Sequence, residues 1–178
     1  MGSVEVTSFP RSASTWLIEC LRAAFPQEQV ATHGHVYRVI GRARNLIVPI
    51  RNPLDSVSSW MQFTGNDDAN ALLDWYIRFY DAIYRGIRQV HIVEFDDLVS
   101  DPNGVMDWLS GVLRLGEPQV IDVGSLETFM AESLEDHVPS RDRRADTARL
   151  REQVKLASNY KDSVGSFARL NGRSDDEG

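Results

Sequence analysis

The stretch from Val4 to Leu17 constrains this chain more than any other, because it reads as strand, tight loop and helix. Val4, Val6 and Phe9 favour a strand, Pro10 ends it, and Ser12 and Ser14 are candidate N-caps. Behind them Trp16, Leu17, Cys20, Leu21 and Ala24 recur at helical spacing and define one buried face. Such a loop brings backbone N–H groups, hydroxyls and the Arg11 guanidinium to a helix N-terminus, where unpaired N–H groups and the helix dipole favour an anion. The Walker A pattern G-x-x-x-x-G-K-[ST] is absent, so no lysine is on hand for a β/γ-phosphate. Taken alone, the segment fits an ordinary strand–helix turn with a surface arginine equally well.

A second stretch breaks the tie. Asn45 to Ile50 is an apolar run suited to a buried parallel strand. It ends at Arg51, and Asn52-Pro53 then reads as a cap followed by proline at the first helical position. Ser59 returns about two helical turns beyond Asn52, to nearly the same angle. Arg51 and Ser59 are thereby expected to face one small anion from a strand end and the adjoining helix.

These segments carry a resemblance. Phe9 to Trp16 resembles the 5′-phosphosulfate-binding loop of the sulfotransferases, and Arg51 to Ser59 resembles their 3′-phosphate-binding motif. Thr32-His33 is similar to the Thr-His pair that carries the catalytic base in cytosolic members. Val93 to Leu98, followed by Asp101-Pro102, is similar to a further family segment. The likeness runs in order over residues 4–115. It departs at Arg11, where cytosolic members usually carry Lys, at Ala13, usually Gly, and at Ala31, often Lys. The C-terminal Arg-Lys-Gly segment that closes over the donor in larger relatives has no clean counterpart; Arg141, Arg143 and Arg144 are the candidates to replace it.

The resemblance implies a P-loop-like three-layer α/β sandwich with a parallel central sheet. It also implies transfer of a sulfuryl group from 3′-phosphoadenosine 5′-phosphosulfate to an acceptor hydroxyl or amine on a small molecule or glycan. Arg11, Ser12, Ala13, Ser14, Thr15 and Trp16 would hold the 5′ end of this donor, and Arg51 and Ser59 the 3′-phosphate. Arg11 would stabilise the leaving phosphate and His33 would act as base, with His35 the next candidate. Trp16 is suited either to stack on adenine or to pack the core. No metal is expected: the transferred group is singly charged, and no ligand cluster accompanies His33 and His35. The alternatives are a nucleotide kinase, disfavoured by the missing Walker lysine, and a non-catalytic adenine-nucleotide module.

At 178 residues one domain is expected, over 1–170, with a polar, acidic and disordered tail at 171–178. The net charge of −7 argues against general nucleic-acid binding and leaves local arginines to attract an anion. One cysteine, Cys20, excludes an internal disulfide and sits on an apolar helix face, as a buried inert thiol would. No apolar run reaches membrane-spanning length, and the N-terminus lacks a basic leader region, so the expected setting is cytoplasm without membrane contact.

Elsewhere, Gln29 to Thr32 and Val90 to Phe95 are expected strands, with Asp96-Asp97 as cap and turn residues. Leu72, Trp75, Tyr76, Phe79, Tyr80, Ile83, Tyr84 and Ile87 mark the longest helix, over 69–87. Further helices are expected at 103–115, with Val112 inward, at 125–134, at 147–157 and at 160–170, with Val164 and Phe167 inward. The charged stretch 139–146 reads as a loop. Strands alternating with helices make the chain α/β.

Overall fold

The computed structural model describes residues 3–40, 42–43, 45–134 and 146–174. Four strands, β1 (Ser3–Val6), β2 (Gln29–Thr32), β3 (Leu46–Ile50) and β4 (Val90–Glu94), form an all-parallel sheet in the order β2-β1-β3-β4. Around it lie α1 (Ser14–Ala24), α2 (Pro53–Thr64), α3 (Ala69–Arg85), α4 (Phe95–Ser100), α5 (Pro102–Leu113), α6 (Val123–Leu134), α7 (Thr147–Leu156) and α8 (Tyr160–Ser174).

The pleat explains why helices cover both faces. Every β3 residue is buried, as a central parallel strand requires. Leu46, Val48 and Ile50 join a core with α2, α3, α7 and α8, while Ile47 joins Val4, Val6, α1, α4, α5 and α6 on the other face. Pro49 is tolerated in this central strand for a specific reason. Asn45 and Ile47 direct their carbonyls toward β1, so Pro49, of the same parity, turns its missing N–H to that side. The last β1–β3 pair is Val6–Ile47, and beyond it no ladder bond is called for. The strands part there, and the crevice opens.

The longest helix is the expected one, and its buried line of Leu72, Tyr76, Phe79, Tyr80 and Ile83 packs around Phe9 from the β1–α1 loop. Phe9 makes edge contacts with Trp75 and Tyr76, each at 5.0 Å between ring centroids. Ile87 falls outside the helix, in a 3-10 turn.

Other expectations are corrected. Asp96 and Asp97 lie in the first turn of α4, where the helix dipole favours carboxylates. Val112 and Val164 are 41% and 40% exposed. Met106, Leu109 and Leu113 form the inward line of α5. In α8 small polar residues set the register instead of Val164. Ser163 and Ser166 are buried, and Ser166 donates to Asp81 Oδ1 of α3 at 3.0 Å. That helix runs on to Ser174, past the expected end at residue 170. The expected loop at 139–146 lies almost wholly outside the described residues, as do 175–178. No described helix is long and apolar enough to cross a membrane.

Candidate anion-binding site

Strand order locates the crevice. The chain leaves β1 toward β2 on one side and returns to β3 on the other, and ligands in open α/β sheets sit beyond the strand carboxyl ends at such a switch point. A cavity of about 580 Å³ lies there, and its wall is built by residues at or just beyond the carboxyl ends of all four strands. Arg11, Ala13, Ser14, Thr15 and Trp16 follow β1; Thr32, Gly34 and His35 come from the end of β2; Arg51 follows β3; Phe95 follows β4. Ile18 and Trp60 complete it.

The β1–α1 loop is held from behind. Thr7 donates through Oγ1 to the Val36 carbonyl at 2.9 Å, and the Ser8 N–H donates to the Gly34 carbonyl at 3.1 Å. Arg11 and Ala13 both adopt φ 64°, a left-handed conformation that costs roughly 1–3 kcal/mol without glycine. Ala13 is the N-cap of α1 and supplies no side-chain cap. Neither serine fills the capping role expected of it. Ser12 turns inward, its Oγ 3.2 Å from the Tyr80 hydroxyl in a fully buried contact. The first helical hydrogen bond runs from Leu17 N–H to Ala13 carbonyl. The N–H groups of Ser14, Thr15 and Trp16 therefore stand outside the helical ladder at the cavity wall.

The two arginines lock to each other's surroundings. Arg11 donates from Nε to Ser59 Oγ at 3.0 Å. Arg51 donates from Nη1 to the Arg11 carbonyl at 3.1 Å, and its Cζ lies 4.0 Å from the centroid of the Phe95 ring. The Arg51 carbonyl in turn accepts from the Tyr76 hydroxyl at 2.7 Å. Asn52 caps α2 as expected, accepting from Asp55 N–H at 2.9 Å. Neither Arg11 nor Arg51 forms an ion pair among the described residues, and the buried Arg51 Nε has no hydrogen-bond partner. Burial pulls both guanidinium pKa values below their ordinary range; for Arg51 the nearby Asp55 opposes this.

The two histidines part company. His33 sits with Nε2 2.5 Å from Glu5 Oε2 and is not among the residues lining the cavity. His35 lines it, with Nδ1 2.9 Å from the Ser8 carbonyl. A carbonyl only accepts, so Nδ1 carries the hydrogen and the neutral ring keeps its lone pair on Nε2. The reason for the divergence is Gly34, whose φ of 59° turns the chain between the two rings.

Of the residues expected at the site, Arg11, Ala13, Ser14, Thr15, Trp16 and Arg51 line the cavity, while Ser12, Ser59 and His33 do not. Trp16 packs on the core as one expectation had it, and it also lines the cavity and donates from Nε1 to the Leu98 carbonyl at 3.3 Å. Phe95 and Trp60 went unanticipated; the position of Phe95 at a strand's carboxyl end was the available signal. Arg141, Arg143 and Arg144 lie outside the described residues. A second cavity, of about 420 Å³, borders β4 and α5 but is lined by Glu94, Asp97 and Asp101 with no cation, the wrong sign for a phosphate. Among the described residues no group of three or more His, Cys, Asp or Glu side chains is arranged to hold a metal ion. No protein-family model matches the chain, and no curated protein does.

Proposed function

We propose that this protein is a sulfotransferase, moving a sulfuryl group from 3′-phosphoadenosine 5′-phosphosulfate to an acceptor hydroxyl or amine. The observation that carries the reading is the pair of partly buried guanidiniums, Arg11 and Arg51, neither in an ion pair among the described residues and both on one cavity beside an uncapped helix N-terminus. Half-buried cations in no direct ion pair are costly unless an anion completes them. Two such cations, one in the loop after β1 and one directly after β3, suit a donor with phosphate groups at two positions.

In this scheme the N–H groups of Ser14, Thr15 and Trp16 hold the 5′-phosphosulfate, with Arg11 at its bridging oxygen. Arg51 holds the 3′-phosphate. Ser59 acts by fixing Arg11 through Nε, which leaves the terminal nitrogens of that guanidinium for the donor. His35 takes the acceptor proton on Nε2 in place of His33, whose ring is engaged with Glu5. The acceptor oxygen attacks sulfur in line, the bond from sulfur to the bridging oxygen breaks, and its electrons leave on the 5′-phosphate beside Arg11. Charge grows there mainly in the transition state, so Arg11 favours the rate more than ground-state binding.

The test pairs binding with turnover. Calorimetry should show 3′-phosphoadenosine 5′-phosphate binding far more tightly than adenosine 5′-phosphate, and mass spectrometry should show sulfated products when donor and acceptor pools are supplied. Equal affinity for the two nucleotides would remove the reading.

A further inference from the structure

We infer that Arg151 is a positioning residue for the anion site: it neutralises Asp55, a carboxylate beside Arg51 that would otherwise repel the bound 3′-phosphate. The inference rests on the reading of the cavity as a phosphate site.

Asp55 occupies the first turn of α2, immediately after the Arg51-Asn52-Pro53 corner. A carboxylate there stabilises the helix N-terminus, and Asn52 Nδ2 holds its Oδ2 at 2.7 Å. The same placement opposes an incoming phosphate at Arg51. Arg151 resolves the conflict from a distant part of the chain by pairing through Nη1 with Asp55 Oδ1. Its helix, α7, is docked for the purpose. Leu150 and Val154, one helical turn apart, are buried in the core that includes α2. Gln62 Nε2 of α2 donates to Thr147 Oγ1 at 3.1 Å, and Gln153 Nε2 donates to the Asp67 carbonyl just beyond α2 at 2.6 Å. Arg151, adjacent in sequence to Leu150, is thus delivered to the start of α2.

The pair is not an ordinary surface bridge of negligible consequence. The Asp55 side chain is 24% exposed and that of Arg151 41%, and both charges act on Arg51 together with those of Arg11 and Asp96. All of them share one field, so removing one charge changes what the phosphate meets.

Calorimetric titration of 3′-phosphoadenosine 5′-phosphate into purified wild type, R151Q, R151K, D55N and the R151Q/D55N double variant tests this at low and high salt. R151Q should bind about tenfold more weakly, the scale of effect of one unit charge uncovered in a partly screened site. R151K should stay near wild type. D55N should bind at least as tightly as wild type, and the double variant should return to within about threefold of it. The R151Q deficit should shrink as salt rises. A merely structural bridge predicts the opposite for D55N, which would then weaken binding as R151Q does. R151Q binding as tightly as wild type, D55N binding as weakly as R151Q, or a double variant no better than R151Q each overturns the inference. D55N and R151K decide it if R151Q does not fold. A wild type without affinity for this nucleotide overturns both the inference and the phosphate reading, whereas normal wild-type binding with an indifferent R151Q overturns the inference alone.

Discussion

Replacing Arg51 by methionine separates ligand binding from stability at one position. The Arg51 side chain contributes one hydrogen bond, to the Arg11 carbonyl at 3.1 Å, and one face contact with Phe95. A hydrogen bond from a charged donor is worth about 1.5–3 kcal/mol, and an exposed-to-intermediate cation–π contact about 0.5–1 kcal/mol. Against this stands a buried Nε with no partner, whose stranded N–H costs about 1–3 kcal/mol. Methionine keeps the packing of the aliphatic stem and removes both the gain and the penalty. The net change in stability therefore lies between a gain of about 1 and a loss of about 3 kcal/mol, centred on a loss of about 1 kcal/mol, or a few degrees in melting temperature. Binding should respond on another scale. A guanidinium fork on a phosphate makes two charge-assisted bonds, together about 3–6 kcal/mol, so affinity for 3′-phosphoadenosine 5′-phosphate should fall roughly 10²–10⁴-fold. Affinity for adenosine 5′-phosphate, which lacks the 3′ group, should barely move. Calorimetry with both nucleotides and a thermal melt of the same preparation measure all three quantities. Retention of affinity within threefold would refute the role given to Arg51. An equal loss for both nucleotides would put Arg51 at the 5′ end or in a purely structural role.

Three further outcomes are expected. His35→Ala should lower turnover by roughly 10²–10⁴-fold with donor binding intact, while His33→Ala should leave most activity; the reverse ranking in steady-state rates would return the base to His33. Tyr80→Phe strands the buried Ser12 hydroxyl, 3.2 Å from the phenol it loses, and should cost about 1–3 kcal/mol in urea denaturation; an unchanged midpoint would show that this contact does not support the loop. Burial, aided by Glu19, pushes the Cys20 thiol up to about 12 from an ordinary 9.0, so the native protein should resist thiol reagents until unfolded. Because the unfolded thiol ionises first, its contribution to stability is intact below about 9 and is lost as pH rises toward about 12. Rapid labelling of folded protein, or a Cys20→Ser variant with the same alkaline profile, would contradict this.

Much of the architecture was legible because its signals are local. Apolar runs at β3 and β4, the Asn52-Pro53 helix start and the three-and-four spacing of α3 depend only on near neighbours in the chain. They suffice to put Arg51 at a strand end and Arg11 in a loop before a helix N-terminus, and so to suggest an anion site, although β1 stops at Val6 and not at the expected Phe9. Sequence alone does not say which way a side chain turns once the backbone leaves regular structure. The left-handed Arg11 and Ala13 swing Ser12 inward to Tyr80 and bring Arg11, rather than Arg51, onto Ser59. Gly34 sends His33 to Glu5 and His35 into the cavity. Tertiary packing alone brings Arg151 to Asp55, 96 positions away, since that approach is set by α7 burying Leu150 and Val154 against a core built from distant segments. Residue pattern thus determined the elements and the chemistry at their ends, whereas strand order and long-range packing decided which of those groups meet, because such contacts depend on the whole sheet and its helices closing together.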